Sequence, residues 1–118
     1  SAQMSNHLAA ELIHEGLPAI SLSSDTAVIT ALSNDLSFEE VFAHQVFSLG
    51  DKGDILIGLS TSGKSKNILK AYKTASKVGL EVIDFPRKGI TPRCQEYQLR
   101  LLHKVWEYIA NEKSKNKN

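Results

Sequence analysis

The fold is decided by the stretch Leu56-Ile57-Gly58-Leu59-Ser60-Thr61-Ser62-Gly63-Lys64-Ser65-Lys66-Asn67. It begins inside a short apolar run at residues 54–59, which is typical of a buried parallel strand. After it, apolar residues recur at helical spacing up to Gly79, a residue that commonly ends a helix. The stretch therefore predicts a strand, a tight loop and the N-terminus of a helix.

Residues 60–65, called the hydroxyl loop below, have the chemistry of a phosphate site. The loop places serine and threonine hydroxyls beside the free N–H groups and the positive dipole end of the following helix. A plainer explanation is that Ser62 or Ser65 only caps that helix. Residues 58–65 also match the letters of the Walker pattern, but Gly58 lies inside the predicted strand, so too few flexible residues remain to wrap a triphosphate. We therefore expect a phosphate monoester here.

The composition describes one small globular domain. The chain has 118 residues, 42% of them hydrophobic, and a formal net charge of +1, so neither nucleic acid nor a lipid surface is expected as its main partner. No apolar run approaches the length of a membrane span. The single cysteine, Cys94, excludes an internal disulfide and a cysteine-only zinc site, which fits a reducing cytoplasm.

Apolar patterning along the rest of the chain predicts alternating helices and strands. We predict helices over residues 1–15, 25–32 and 38–49 and a last long helix opened by Thr91-Pro92, with strands near 19–23, 54–59 and 80–85. Residues 37–40 match a capping box, and the helix that follows is expected to bury Phe38 and Leu49 but to leave Gln45 on the surface or facing a partner. This order predicts an α/β fold with a central parallel sheet flanked by helices.

His7 and Glu11 lie four residues apart and therefore share one face of the first helix. From the spacing alone, a solvent-facing hydrogen bond or weak ion pair explains the two residues better than a functional site does. A more specific interpretation requires the rest of the chain.

Five separated segments together resemble the phosphoheptose isomerases, enzymes of the sugar-isomerase (SIS) fold. The segments are Ser1-Ala2 with residues 7–12, Leu17-Pro18-Ala19-Ile20, residues 30–35, residues 53–65 and residues 91–96. The resemblance implies a single SIS domain over residues 1–118, with three layers and a central parallel sheet. It also implies a cytoplasmic homotetramer with shared active sites.

The resemblance further implies an aldose–ketose isomerase that converts D-sedoheptulose 7-phosphate to D-glycero-D-manno-heptose 7-phosphate through an enediol-type intermediate, for lipopolysaccharide synthesis. Glu11 and His103 would form its acid–base pair. One zinc ion per subunit would be bound by His7, Glu11, Gln95 and His103. The substrate would contact Ser1, Glu11, Asn34, Asp35, Ser60, Thr61, Ser62, Ser65 and Gln95.

The spacing of two of the implied ligands suggests a shared site. Gln95 and His103 are eight positions apart on one predicted helix, roughly 12 Å along its axis. We therefore expect one of them to act across a subunit boundary.

The chain also departs from the family that it resembles. Family members have an N-terminal helical region and a strand before the position of Ser1, and extra residues after Glu15 and after Gly89, so we interpret this sequence as joined parts of a longer chain that lacks the N-terminal region and some loops. Gln98 stands where a histidine is common. A related non-catalytic branch, a tetrameric adaptor that binds the bacterial replication initiator, is one alternative function, and a SIS-type regulatory module that binds a sugar phosphate without catalysis is another. The adaptor branch lacks the histidine that His103 provides here, which favours the enzyme.

Overall fold

The computed structural model describes residues 2–87 and 91–116. These residues form, in chain order, the helices and strands α1 (Ala2–His14), α2 (Thr26–Asp35), a 3₁₀ turn (Phe38–Glu40), α3 (Val41–Leu49), β1 (Ile55–Gly58), α4 (Lys66–Val78), β2 (Glu81–Asp84) and α5 (Thr91–Asn116). Asp25 caps α2 by accepting hydrogen bonds from the N–H groups of Ala27 and Val28. Gly79 ends α4 with φ +99°, as its position in the sequence predicts.

The two strands form a parallel sheet whose register pairs Ile55 with Glu81 and Gly58 with Asp84. Helix α4 connects them, as expected for a crossover between parallel strands. The α/β fold with parallel strands is thereby confirmed. Among the described residues the sheet has two strands rather than the three that the sequence predicts.

The predicted strand at residues 19–23 is wrong. The Ser24 hydroxyl and N–H both donate to the Ser21 carbonyl, and the Ser23 N–H donates to the Ser21 hydroxyl. The Ser21 hydroxyl also lies 2.7 Å from that of Ser5 on α1. Such local bonds from serine hydroxyls compete with a strand ladder, so this segment turns instead of pairing with β1.

Helices pack on both faces of the sheet and build two cores. On one face, Leu8 of α1 and Leu102 of α5 pack with Leu59 and Phe85. On the other face, Val46 of α3 packs with Ala71 and Ala75 of α4. Alternate β1 residues serve the two cores, with Ile57 against the first and Leu56 against the second. This arrangement has the three layers expected from the sequence.

The predicted capping box at residues 37–40 is also wrong. Ser37 makes no side-chain bond to the turn that follows it, and Glu40 instead forms an ion pair with Lys70 of α4. Phe38 and Leu49 are 62% and 57% exposed, although the pattern predicts that both are buried.

Gln45, predicted on the surface, is buried because its amide donates to the carbonyls of Leu22 and Val41. The bond to Leu22 joins α3 to a chain segment distant in sequence.

Among the described residues, no helix combines the length and the apolar character needed to cross a membrane.

Candidate active site

The hydroxyl loop follows β1 and is held by its own side chains. The Ser60 hydroxyl accepts a hydrogen bond from the Gly63 N–H at 3.0 Å and lies 3.4 Å from the Ser65 hydroxyl. The Ser62 hydroxyl accepts from the Lys64 N–H at 3.0 Å. Ser65 precedes α4 without a side-chain bond to the helix. Ser65 therefore occupies the N-cap position, as the plainer explanation holds, but its hydroxyl does not cap the helix and lies at the N-terminus, where an anion would bind.

The strand before the loop leaves no room for a Walker loop. Gly58 is the last residue of β1 and pairs with Asp84. It therefore lies in the strand, which is the reason for which the Walker pattern is rejected. A Cβ on Gly58 would overlap the hydroxyl and ring of Tyr72, so glycine is needed for Tyr72 of α4 to lie across the strand. Gly58 therefore serves packing rather than phosphate wrapping.

Arg87 packs against the hydroxyl loop. Gly63 has φ +70°, and a Cβ there would come within 2.8 Å of the Arg87 guanidinium carbon. Asp84 holds this guanidinium through two bonds, from Nη1 to Oδ1 at 2.9 Å and from Nη2 to Oδ2 at 3.0 Å. The Tyr72 hydroxyl also donates to Asp84 Oδ1, at 2.8 Å. The Arg87 guanidinium is thus fixed beside the loop, with its charge offset by the Asp84 carboxylate.

The charges and burial of this group shift the pKa of its members. Hydrogen bonding to Arg87 lowers the pKa of Asp84, and the Tyr72 bond adds to this, while partial burial opposes it. Burial, and then the bond to Asp84, raise the pKa of the Tyr72 hydroxyl, which therefore stays a proton donor.

The bond between Asp84 and Arg87 makes stability depend on pH. Because the pKa of Asp84 is lowered from its ordinary 3.8 in the folded state, its contribution is complete above about pH 4 and is lost as the pH falls through the folded pKa. We expect Asp84→Asn to lower the free energy of unfolding at pH 7 by about 0.5–1 kcal/mol, a small value because the side chain is 41% exposed. Urea denaturation from pH 7 down to about pH 2 measures this, and the difference from the parent protein should vanish at the acid end.

The control is Glu96→Gln, which removes the partner of Arg93 in a more exposed ion pair. We expect it to change the free energy of unfolding by less than about 0.3 kcal/mol at any pH. A stability difference for Asp84→Asn that is constant across the pH range would contradict the assignment.

Helices α1 and α5 bring three of the predicted site residues together. His7 Nε2 lies 2.8 Å from Glu11 Oε1. The rings of His7 and His103 lie 5.7 Å apart, edge to face. One nitrogen or oxygen from each of His7, Glu11 and His103 lies within 4.8 Å of the others, so the three form a compact cluster, called the His–Glu–His cluster below.

The chemistry of this cluster fits a divalent metal ion. Glu11 Oε2 is buried and has no hydrogen-bond partner among the described residues. A buried carboxylate oxygen without a partner is costly, and a cation would compensate it. Two imidazole nitrogens and one carboxylate are also a ligand set of catalytic zinc sites, which leave a fourth position for water or substrate. The cluster is therefore a possible metal-binding group.

The other predicted site residues lie elsewhere. Gln95 is exposed and lines a shallow cleft of about 420 Å³ with Gln3 and Met4, and no member of the His–Glu–His cluster is among the cleft's described lining residues. Asn34 and Asp35 are exposed in the last turn of α2, which extends past the end predicted at Leu32. Ser1 lies outside the described residues. The roles of these residues stay predictions.

A larger cavity of about 990 Å³ lies along β1. Its lining includes Ser60, Thr61 and Ser65 of the hydroxyl loop and Leu8 and Leu12 of α1. Of the residues that the structure describes, the lining includes none of the His–Glu–His cluster. The loop and the cluster of one chain therefore do not share this cavity.

Sequence reasoning missed the contact of Arg87 with Gly63 and the burial of Gln98. Neither residue belongs to a recognisable motif. The one available signal was the glutamine at position 98, where the family that the chain resembles commonly has a histidine.

Comparison with known proteins first defines the class. A family model described as the SIS domain matches residues 5–85, from α1 through β2 and including the hydroxyl loop. The fold, the hydroxyl loop and this match together define a SIS-domain protein.

Two relatives show the particular family. The phosphoheptose isomerase of Helicobacter pylori (strain P12) is 44% identical over 92% of this chain and 69% of its own length. The phosphoheptose isomerase of Thermodesulfovibrio yellowstonii is 42% identical over 94% of this chain and 67% of its own length. The chain belongs to the phosphoheptose isomerase family.

Solved structures agree with this assignment. The phosphoheptose isomerase of Neisseria gonorrhoeae has a TM-score of 0.90 at 33% identity, over 93% of this chain and 71% of that one. The phosphoheptose isomerase of Francisella tularensis has a TM-score of 0.87 at 30% identity, over 94% and 71%. These matches indicate an enzyme and give no support to the adaptor alternative.

The alignments also bear on the length of the chain. They extend over 132 and 134 residues in the two curated relatives, which is more than the 118 residues present here. The alignments therefore contain positions that this chain lacks. That the sequence joins parts of a longer chain stays a prediction.

Proposed function

We propose that this protein converts D-sedoheptulose 7-phosphate to D-glycero-D-manno-heptose 7-phosphate and so supplies heptose for lipopolysaccharide. The main support is the His–Glu–His cluster, which in a chain of this family brings two imidazole nitrogens and a carboxylate oxygen within 4.8 Å of one another. The hydroxyl loop and Arg87 add a site suited to the phosphate group of the substrate.

The reaction moves a proton between C1 and C2 through an enediol-type intermediate, so it needs a base beside the carbonyl and an acid that returns the proton. Glu11 suits the first role because its carboxylate lies in the His–Glu–His cluster, with Oε1 2.8 Å from His7 Nε2. His103, in the same cluster, suits the second role, since histidine is a common general acid in proton transfer. Glu11 and His103 are therefore the proposed catalytic residues.

One Zn²⁺ per subunit is the proposed cofactor, with His7, Glu11 and His103 as ligands and Gln95 as a fourth. When bound, such an ion polarises the substrate carbonyl and stabilises the developing enediolate. A ligand role for Gln95, which lies about two helical turns before His103, requires a rearrangement or a second subunit.

The phosphate group is proposed to bind at Ser60, Thr61, Ser62 and Ser65, close to the Arg87 guanidinium. Ser1 is proposed as a further phosphate ligand, and Asn34 and Asp35 as contacts to the sugar. Fixing the phosphate end holds the reacting carbons near the base and lowers the entropic barrier.

A homotetramer with shared active sites is the proposed assembly. Support comes from the cavity beside the hydroxyl loop, whose described lining lacks the His–Glu–His cluster, so a second subunit would be needed to complete a site there. Large exposed apolar side chains, among them Phe47 at 68% and Tyr108 at 67%, are consistent with association. The enzymes that the chain resembles are cytoplasmic, and we extend that location to this protein.

The assay that tests this function follows the appearance of the aldose product from sedoheptulose 7-phosphate, with the Zn²⁺-loaded protein. Unphosphorylated sedoheptulose is the control substrate, and we expect its kcat/KM to be at least about 100-fold lower because it cannot use the phosphate site. Absence of turnover in a metal-loaded, tetrameric sample would refute the proposed function.

A further inference from the structure

Gln98 is a fully buried polar residue on α5, with a relative exposure of 0%. Leu102, one turn further on the same face, is equally buried and belongs to the core formed with Leu8 and Phe85. An apolar side chain would therefore suit position 98 on packing grounds. The presence of an amide there needs an explanation.

The Gln98 amide joins the two loops that leave the carboxyl ends of the strands. Its Nε2 donates to the Ser60 carbonyl at 3.3 Å and to the Pro86 carbonyl at 3.3 Å. Ser60 begins the hydroxyl loop after β1, and Pro86 follows β2 directly before Arg87. One side chain thus anchors the loop and the segment that carries the guanidinium.

The orientation of the amide is determined by these partners. Exchanging Oε1 and Nε2 would place an acceptor against two carbonyl oxygens, so both protons of Nε2 are committed to the two loops. Oε1 is buried without a hydrogen-bond partner among the described residues. The two hydrogen bonds that Nε2 donates offset the free-energy cost of leaving Oε1 unpaired.

A second contact lies beside the first. The Cys94 thiol, one helical turn before Gln98, lies 4.0 Å from the Thr61 carbonyl. Successive loop carbonyls therefore face α5. These contacts are made to backbone carbonyls, so they do not involve the hydroxyls of Ser60 and Ser65.

We propose that Gln98 is a positioning residue for the phosphate site: it holds the hydroxyl loop and the Arg87 segment at the separation that a phosphate group requires. This inference deepens the proposed isomerase function and rests on it for the kinetic part of its test. Gln98 acts through the hydroxyl loop, so the loss of its side chain weakens phosphate binding rather than the chemistry at the His–Glu–His cluster.

The test compares the parent protein with Gln98→Met, which keeps an unbranched side chain but donates no hydrogen bond. Inorganic phosphate is titrated by calorimetry, and steady-state kinetics are measured with sedoheptulose 7-phosphate. We expect about a tenfold higher Kd for phosphate and about a tenfold higher KM, with kcat within about threefold of the parent, because a loosened site loses binding before chemistry. Unfolding of part of the sample would instead lower kcat and leave KM and Kd unchanged.

The matched control is Gln45→Met, because Gln45 is also a buried glutamine that donates to two carbonyls, but these belong to Leu22 and Val41 and not to the hydroxyl loop or the Arg87 segment. We expect this variant to lose thermal stability while keeping the parent's phosphate Kd and KM. An equal loss of phosphate affinity in both variants would overturn the proposal. If Gln98→Met does not fold, Gln98→His, which keeps one donor, replaces it, with an expected loss of affinity of about threefold.

The outcomes separate this inference from the proposed function. If the parent protein binds phosphate in a Gln98-dependent way but does not isomerise sedoheptulose 7-phosphate, the function fails and the positioning role stands. If it isomerises the sugar and Gln98→Met keeps the parent's Kd and KM, the positioning role fails and the function stands. A parent protein that binds no inorganic phosphate would also overturn the positioning role.

Discussion

Glu11→Gln is expected to lower kcat for sedoheptulose 7-phosphate by about 10³-fold. An amide cannot take up the proton that Glu11 accepts in the proposed reaction, while it keeps the size and most of the packing of the carboxylate. The measurement is steady-state kinetics on tetrameric protein whose zinc content has been determined. A variant that loses activity while retaining its zinc assigns the loss to proton transfer.

The matched control is Glu15→Gln, the same substitution beyond the end of the same helix, where the carboxylate lies 3.5 Å from His14 and no role is assigned. Its kcat is expected to stay within about twofold of the parent value. If Glu11→Gln were as active as Glu15→Gln, the acid–base assignment would be wrong.

Removal of the metal belongs to the same prediction. Dialysis against a chelator is expected to abolish activity, and added Zn²⁺ is expected to restore it, because the His–Glu–His cluster offers the ligands of a catalytic zinc site. Full activity in chelated protein with no residual metal would exclude a metal-assisted reaction. The Glu11→Gln result then decides separately whether Glu11 acts as the base.

Leu102→Ala is expected to lower the free energy of unfolding by about 3–4 kcal/mol. Leu102 is fully buried between Leu8 of α1, Leu59 and Phe85, so its truncation leaves a cavity where α5 meets α1 and the sheet. Equilibrium urea denaturation measures the change. Because the lost contacts hold α5 in place, we also expect activity to fall more steeply with temperature than in the parent.

Leu99→Ala, on the same helix, is the control for this change. Leu99 is 38% exposed, so its truncation creates no closed cavity, and the expected loss is about 1 kcal/mol or less. A loss of under 1 kcal/mol for Leu102→Ala would show that α5 is not held by this core.

The sequence by itself determined the features that depend on residues close together in the chain. The helical period and Gly79 predicted α4 and its end, and the apolar run before the hydroxyl loop predicted β1. Residues 25–32 predicted α2, although the helix continues to Asp35. Spacing also placed His7 and Glu11 on one helix face. Each of these depends on bonds within about four residues, which a local pattern records.

Only the tertiary structure decided which distant residues meet. Glu40, predicted to complete a capping box, instead forms an ion pair with Lys70. Gln45 is buried and donates a hydrogen bond to the Leu22 carbonyl. His103 reaches His7 and Glu11 because α5 packs beside α1, and the sequence assigned it to their site only through family resemblance. Arg87 and Gln98 reach the hydroxyl loop without any motif of their own. Their partners are selected by the packing of whole helices on the sheet, and the energy of such long-range contacts leaves no periodic signal in the sequence.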